Sequence, residues 1–225
     1  GGTGNDWYWF DGAWGTDQVI EDSGNGTDTL ALRDVFAAQT VTMDNGIFVI
    51  ADDSNSITTS NMHLEHIISG NGNDTFTINQ APAHQVVLDG RRGKDIYNVD
   101  MSKTLGTALM IDDTGEGGRT DTLNIAGSGG GDISFTNTAV SQDSNTVNFE
   151  YRPYSLDNIE AFHIDDTAVS VDIPSGLDIK RDVFIDADQV TWEDMIHAGN
   201  VHLETDKTIT VNEKIVARNS SYIEL

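Results

Sequence analysis

Hydrophobic and polar residues alternate along most of the chain. In segments 169–173 and 201–203, for example, every second side chain is Val, Leu or Ile. A period of two is typical of a strand that buries one face, and the 3.6-residue period of a helix is nearly absent. Clusters of Gly, Asn and Asp interrupt the alternation, as residues that favour turns do. The sequence therefore predicts an all-β protein of short strands.

The first 166 residues contain two copies of one sequence plan. Each copy begins with a Gly-rich loop and an aromatic strand, continues with an acidic turn, and then reads Thr-Asp-Thr-Leu before a strand-rich stretch. These three segments are residues 4–8, 20–24 and 27–30 in the first copy and residues 93–97, 111–115 and 120–123 in the second. The matching order predicts two structural units of the same design.

The Gly clusters disappear after residue 166, and strand-like segments recur there at intervals of roughly twenty residues, which is the length of one coil of a parallel β-helix. We therefore predict a first repeat unit over residues 1–88, a second over residues 89–166, and β-helical coils over residues 167–225. The chain begins on Gly1-Gly2-Thr3 without Met, which indicates a segment of a longer protein. Its expected partners are neighbouring coils of that longer chain, or like subunits.

Composition narrows the classes of function. The chain has 37 Asp and Glu against 12 Lys and Arg, a formal net charge of −25, and no Cys. Such a chain repels phosphates, so we expect no nucleic-acid partner. The lack of Cys excludes disulfides and thiolate metal sites. No apolar run approaches the ~18 residues of a membrane span, so no span is expected.

Gly-rich loops with one aspartate each are the main candidate chemistry. Residues 1–9 match the pattern G-G-x-G-x-D-x-U-x in full, where U is a large apolar residue. This match and several partial matches give the candidate metal ligands Asp6, Asp17, Asp28, Asp74, Asp95 and Asp121. Calcium binds carboxylate and carbonyl oxygens, and glycine lets a loop turn its carbonyls inward. The sequence therefore predicts calcium as the cofactor.

The spacing of these aspartates suggests how they pair. Asp6, Asp17 and Asp28 follow one another at intervals of eleven residues. If eleven residues make half a coil, Asp6 and Asp28 stack one full coil apart and form the best candidate site. Asp74 and Asp95, 21 residues apart, form the second. The alternative is that each loop is only a turn, whose Asp bonds its own backbone.

The loops resemble those of the RTX family of secreted bacterial proteins. That resemblance implies a parallel β-roll with calcium held between coils. The C-terminal segments 209–211, 215–217 and 222–225 resemble coils of the filamentous-haemagglutinin type of β-helix. The combination is similar to the very large surface proteins and exoproteins of Gram-negative bacteria. It implies a structural or adhesive segment of a stalk, filament or adhesin, located outside the cell or on its surface.

Some loops depart from the RTX pattern. Arg91, Arg92 and Lys94 precede Asp95 where small residues belong, and Arg119 replaces a glycine near Asp121. These cations favour structural turns without metal at those two loops.

Three tryptophans near the N-terminus are a second candidate site. Trp7, Trp9 and Trp14 could stack against the rings of a surface polysaccharide. On a strand, Trp7 and Trp9 point to one side while Tyr8 and Phe10 point to the other, so one pair should face outward. The alternative is that these rings pack against other parts of the protein.

Catalysis is not expected. The acidic doublets 52–53, 112–113 and 165–166 would suit a polysaccharide-processing enzyme only if two carboxyls flanked one bond. Adjacent residues of a strand point to opposite faces, so a doublet alone cannot do this. A carbohydrate-binding or polysaccharide-processing module remains the alternative function.

We predict an elongated right-handed parallel β-solenoid, of β-helix or β-roll type. Its inward-facing residues are Tyr8, Val19, Leu30, Phe76, Tyr97 and Leu123. One segment could leave the solenoid, because residues 41–49 contain Asn45-Gly46, a sequence that favours a tight antiparallel hairpin.

Overall fold

The computed structural model describes residues 1–22, 26–103, 105–106, 108–115, 120–127, 131, 133–136, 138–149, 161–173, 177–179, 181–192, 195–205, 207–211 and 215–224. These residues form strands, turns and loops without a helix, which confirms the prediction of an all-β protein. A helix able to cross a membrane is accordingly not found in the described ranges.

The chain forms 21 strands. In order they are β1 (Trp7–Trp9), β2 (Thr16–Val19), β3 (Thr29–Ala31), β4 (Thr40–Asp44), β5 (Ile47–Ala51), β6 (Ser56–Thr59), β7 (His66–Ile68), β8 (Thr75–Ile78), β9 (Val86–Asp89), β10 (Ile96–Asp100), β11 (Leu109–Ile111), β12 (Thr122–Ala126), β13 (Ile133–Phe135), β14 (Ala139–Gln142), β15 (Asn145–Phe149), β16 (Ala161–Ile173), β17 (Leu177–Asp178), β18 (Asp182–Trp192), β19 (Ile196–Glu204), β20 (Thr208–Val211) and β21 (Ile215–Glu224).

The strands form two sheets in which parallel pairing dominates. Sheet one contains the parallel series β1, β3, β7, β9, β11 and β15. Sheet two contains the parallel series β4, β8, β10, β12, β16, β18, β19 and β21. The chain therefore alternates between the sheets over most of its length, and each strand pairs with one that lies a full turn of the chain away.

Long strands join the two sheets in the C-terminal part. The first half of β16 pairs with β12 of sheet two, and its second half pairs with β13 of sheet one. The register between β16 and β18 shifts between Asp166 and Ser170, where the paired strands pass from one sheet to the other. Each of these strands therefore contributes to both sheets.

Each sheet contains one antiparallel hairpin. The predicted fold-back around Asn45-Gly46 is confirmed, since β4 and β5 pair antiparallel and β5 pairs antiparallel with β6. Asn45 has φ 50° and Gly46 has φ 77°, as a type I′ turn requires at both central residues. In sheet one, β13, β14 and β15 form the corresponding antiparallel set, and Asp143 at its second turn has φ 53°.

The pairing pattern occurs twice along the chain. In the first copy β1 pairs with β3, β3 with β7, and β2 with β6. In the second copy the corresponding pairs are β10 with β12, β12 with β16, and β11 with β15. The second copy begins on sheet two whereas the first begins on sheet one. Equivalent positions of the two copies therefore lie on different sheets.

The proposed division at residues 88/89 and 166/167 stays a prediction. Strand β9 runs across the first of these positions and β16 runs across the second.

The inward faces of both sheets form one continuous core. In sheet two Val41, Phe76, Tyr97 and Leu123 occupy matching positions of successive strands, and all four are fully buried. The rings of Phe76 and Tyr97 stack with centroids 4.5 Å apart. Five of the residues predicted to face inward are fully or almost fully buried, and Tyr8 packs against the core from its edge.

The core position of Phe76 gives a direct test of this packing. Phe76→Ala should lower the free energy of unfolding by about 3–5 kcal/mol, because it removes a buried ring from between two rungs. Phe36 is 76% exposed, so Phe36→Ala should change the free energy by less than about 0.5 kcal/mol. Denaturant unfolding followed by circular dichroism measures both, and similar losses would contradict the core assignment.

Candidate metal-binding sites

Acidic residues lie directly before several strands and bond the neighbouring rung. Ahead of sheet two, the backbone N–H of Gln39 donates to Asp74 Oδ1 at 2.7 Å. The N–H of Asp74 donates to Asp95 Oδ1 at 2.7 Å, and the N–H of Asp95 donates to Asp121 Oδ1 at 2.8 Å. Each carboxylate thus accepts the N–H of the equivalent residue one rung before it.

Sheet one has a shorter series of the same kind. The backbone N–H of Asp6 donates to Asp28 Oδ1 at 2.8 Å, and the N–H of Asp28 donates to Glu65 Oε2 at 2.7 Å. Trp7 pairs with Thr29, so Asp6 and Asp28 stack one full turn apart, as their spacing predicted. Asp74 and Asp95 stack in the same way, since Thr75 pairs with Ile96.

Cluster I consists of Asp6, Glu21 and Asp28, one carboxylate oxygen of each lying within 4.8 Å of the others. Glu21 and Asp28 are buried and Asp6 is partly buried. The Tyr8 hydroxyl donates to Glu21 Oε2, and the Gly1 amino group lies 3.3 Å from the same oxygen. Burial raises the pKa of Asp28, and the charges of Glu21, Glu65 and Asp6 raise it further.

Cluster II consists of Asp95, Asp113 and Asp121, whose oxygens also lie within 4.8 Å of one another. All three residues are buried. The Tyr97 hydroxyl donates to Asp113 Oδ2 at 2.7 Å and accepts the backbone N–H of Gly90 at 2.8 Å. Asp95 Oδ2 is buried without a hydrogen-bond partner.

The two clusters share one design. In each, a tyrosine two residues after the first aspartate reaches an acid from the following turn, and a glycine lies against the same oxygens. A Cβ on Gly90 would lie 2.7 Å from Asp95 Oδ2 and 2.8 Å from Asp113 Oδ2, so glycine is required at this close approach. Gly1 occupies the matching position in cluster I. The clusters lie at the starts of strands on different sheets, as the pairing pattern requires.

Gathering carboxylates in a buried place has a clear electrostatic cost. Loss of hydration raises the pKa of Asp95 to about 9, and the charges of Asp113, Asp74 and Asp121 contribute to this rise against the hydrogen bond from the Asp74 backbone. Burial and the charge of Asp121 raise the pKa of Asp113 well above its usual value. Cluster II therefore favours either bound protons or a bound cation.

The donor atoms restrict which cation fits. Both clusters supply carboxylate oxygens and a nearby phenol oxygen, and neither contains an imidazole. Hard cations such as calcium and magnesium prefer such oxygen ligands, whereas zinc and copper prefer nitrogen and sulfur. The residues present therefore fit a hard divalent cation.

The remaining candidate aspartates lie outside both clusters. Asp74 is buried, but its carboxylate accepts the Ser69 hydroxyl at 2.5 Å as well as the Gln39 N–H. Asp17 lies exposed on β2, beside β6. Only four of the six predicted ligands are therefore brought together, in two separate pairs.

The cations before Asp95 do not prevent the carboxylates from meeting. The Arg91 side chain donates from Nη1 to the Arg33 carbonyl at 2.7 Å, on the outer side of sheet one. The expectation that these loops are plain turns rested on such cations, yet the structure gathers Asp95 and Asp121 in the more deeply buried cluster.

Sequence reasoning missed Glu21 and Asp113 as members of the clusters, and it treated Tyr8 and Tyr97 only as core residues. A signal was present, because both copies contain the order Asp-x-Tyr followed by an acidic turn. Aligning the turns by sequence equates Glu21 with Asp112, whereas the tyrosine contacts equate it with Asp113. The turns differ in length, and only the hydrogen bonds reveal which acid points inward.

The tryptophans separate into two environments. Trp7 is 61% exposed and Trp9 is 47% exposed on the outer face of β1, as the alternation of that strand predicted. Trp14 packs partly buried against the core and makes an edge contact with Phe10, with ring centroids 6.3 Å apart. Trp14 therefore does not extend the exposed pair.

Comparison with known proteins adds no relative. No family model matches the chain, and no curated protein or solved structure is significantly similar to it. The class is therefore defined by the structure itself: an all-β protein of two parallel-rich sheets, with two buried or partly buried carboxylate clusters at strand starts.

The raised pKa of Asp95 predicts how stability depends on pH when metal is removed. An unfolded Asp has a pKa of ~3.9, so the folded protein prefers the protonated form. This contribution to the free energy of unfolding is full below about pH 4 and is lost as the pH rises towards 9. In excess chelator we expect stability to fall by about 1 kcal/mol per pH unit between pH 5 and 8.

Asp95→Asn should flatten that slope, because the amide does not titrate and its oxygen can still accept the Asp74 N–H. The exposed Asp17→Asn should leave the slope unchanged. Urea unfolding at several pH values measures the slopes, and a metal-free protein that becomes more stable from pH 5 to 8 would contradict the prediction.

Proposed function

We propose that this chain is a calcium-stabilised β-solenoid segment of a large bacterial surface protein or exoprotein, with a structural or adhesive role. The alternation of the chain between two sheets supports the solenoid. Successive paired positions such as Thr75 and Ile96, or Phe162 and Val183, are each 21 residues apart. Ile196 and Ile215 pair at 19 residues. Coils of nearly constant length, with hairpins inserted in two of them, account for this register.

The observation that carries the metal proposal is the repetition of the carboxylate cluster. Cluster I and cluster II have the same arrangement of acids, tyrosine and glycine although their loop sequences differ. A hydrogen-bonded turn needs one carboxylate and would not require three to converge. Three converging carboxylates repel one another unless a cation lies between them, and a divalent cation offsets that repulsion.

Calcium is the cation that we propose. Its six to eight oxygen ligands at about 2.3–2.6 Å tolerate irregular geometry, so carboxylates from two rungs and loop carbonyls can combine. Magnesium needs a near-ideal octahedron and holds its own waters more strongly. Asp95 Oδ2 and the facing oxygens of Asp113 and Asp121 would be ligands in cluster II, and the metal would tie together rungs that are otherwise joined by hydrogen bonds.

The location follows from the metal. Extracellular calcium modules bind with dissociation constants of about 10⁻⁴–10⁻³ M, so such sites fill only outside the cell. The resemblance of the Gly-rich loops to RTX repeats supports the same location. We propose that the segment folds after export, when calcium neutralises part of its net charge of −25.

A supporting role fits this chain better than catalysis. Of the acidic doublets, Asp52 accepts the backbone N–H groups of Ser54 and Asn55, both at 2.8 Å, and so shapes a turn. Asp113 belongs to cluster II. These contacts support a role for the acids in holding loops and coils.

A calcium titration tests the proposal. The melting temperature, followed by circular dichroism, should rise by more than about 10 °C between excess chelator and ~10 mM calcium, since a ligand that binds only the folded state stabilises it. Magnesium at the same concentration should give a smaller rise. An identical melt in chelator and calcium would overturn the metal proposal.

Asp121→Asn sharpens the test because its effect should change sign. The amide oxygen can still accept the Asp95 N–H, and the loss of one charge should stabilise the protein slightly in chelator. In calcium the same variant should lose about half of the metal-dependent rise, as cluster I remains. Asp17→Asn is the matched control on an exposed strand and should retain the full rise. Equal effects of the two variants would contradict the assignment of cluster II.

A further inference from the structure

The outer face of sheet one carries a pair of exposed indoles. Trp7 and Trp9 alternate with the inward-facing Tyr8 on β1, so both rings stand on the outer side of the sheet. With 61% and 47% of their surfaces exposed, they are among the most exposed large apolar side chains of the described residues. Aromatic pairs of this size are seldom left open to water without a binding role.

A hollow lies beside these rings because their neighbours on the sheet are small. Trp7 pairs with Thr29 and Trp9 pairs with Ala31, so the surface steps down from the indoles to the next strand. The hollow has a volume of about 270 Å³ and includes Ile68 on its floor. It is smaller than the roughly 300–1,000 Å³ pockets that enclose drug-sized ligands. It is therefore suited to one unit of a chain that lies along the sheet.

Two guanidinium groups border the hollow. The Arg33 Cζ lies 5.2 Å from the centroid of the Trp9 ring, in a cation–π contact that fixes both side chains. Arg91 donates from Nη1 to the Arg33 carbonyl at 2.7 Å, which holds it along the same edge. Neither guanidinium forms an ion pair with a carboxylate in the part of the chain that the structure describes.

The one acid that lines the hollow is already bonded. Asp89 Oδ1 accepts the N–H groups of Arg91 and Thr114 at 2.8 and 3.0 Å, and Oδ2 accepts the Thr114 hydroxyl at 2.7 Å. Two cations against one engaged carboxylate give the hollow a local positive charge, on a chain whose net charge is −25. This local charge favours an anionic group in the hollow.

We propose that this surface, which we call the Trp–Arg shelf (Trp7, Trp9, Arg33 and Arg91), binds an acidic saccharide. The C–H face of a pyranose ring packs on an exposed indole, and the carboxylate of a uronic acid accepts paired hydrogen bonds from a guanidinium. A phosphate polymer is a poorer match, because two arginines do not compensate its repulsion by so acidic a chain. The shelf is separate from both carboxylate clusters and does not depend on the metal proposal.

The test uses a short uronate that does not gel with calcium. We would titrate a trisaccharide of galacturonic acid, and the galactose trisaccharide of the same linkage, into the whole chain in 1 mM calcium. The indole N–H signals of Trp7 and Trp9 should shift in the NMR spectrum, while those of Trp14 and the buried Trp192 stay fixed. The uronate should bind at least roughly fivefold more tightly than the neutral sugar.

Variants assign the contacts. Trp7→Ala, Arg33→Gln and Arg91→Gln should each weaken uronate binding by at least roughly threefold. Phe36→Ala removes another exposed aromatic ring and should leave binding unchanged. All four variants should keep the calcium-dependent rise in melting temperature, so a failure here is distinct from a failure of the metal proposal.

Three results would overturn the inference. One is the absence of shifts at Trp7 and Trp9. Another is equal affinity for the acidic and neutral sugars. The third is a set of Trp7 and Trp9 signals that move with protein concentration in the absence of sugar, since this would mean that a second copy of the chain covers the shelf.

Discussion

The bond from a backbone N–H to the carboxylate of the next rung determines much of the rest of this structure. It recurs from Gln39 to Asp74, Asp95 and Asp121 on one sheet, and from Asp6 to Asp28 and Glu65 on the other. Each bond satisfies a donor at the start of a strand and fixes the register of two rungs. It also places acids in a column, so like charges accumulate where the strands begin.

That accumulation explains why the clusters are the most strained electrostatic feature of the described chain. A single carboxylate that accepts backbone N–H groups is stable, but a third acid from a turn brings the oxygens within 4.8 Å. The tyrosine hydroxyl and the close glycine hold this third acid in place in both copies. Stability of the strand stack and affinity for a cation therefore arise from the same residues, and neither can be altered without the other.

The two faces of the sheets have separate tasks in our proposals. The inner face and the strand starts hold the rungs together through apolar packing, hydrogen bonds and calcium. The outer face of sheet one is free to present side chains, and the Trp–Arg shelf is where it does so. Because the second copy begins on the opposite sheet, its position equivalent to Trp7 is Ile96 on sheet two. The shelf is thus unique to the first copy although the clusters are repeated.

The sequence by itself determined the strands, the inward residues and the stacking of Asp6 on Asp28, because alternation and spacing are local properties that each rung repeats. It also indicated the hairpin, since Asn45-Gly46 favours positive φ at both turn positions. Only the tertiary structure decided which acids converge. Glu21 and Asp113 reach their clusters through turns of different lengths, and Asp17 faces solvent because β2 pairs with β6 of the hairpin rather than with a strand that carries an acid column. Such choices depend on which strand lies beside which, and insertions change that without changing the local pattern.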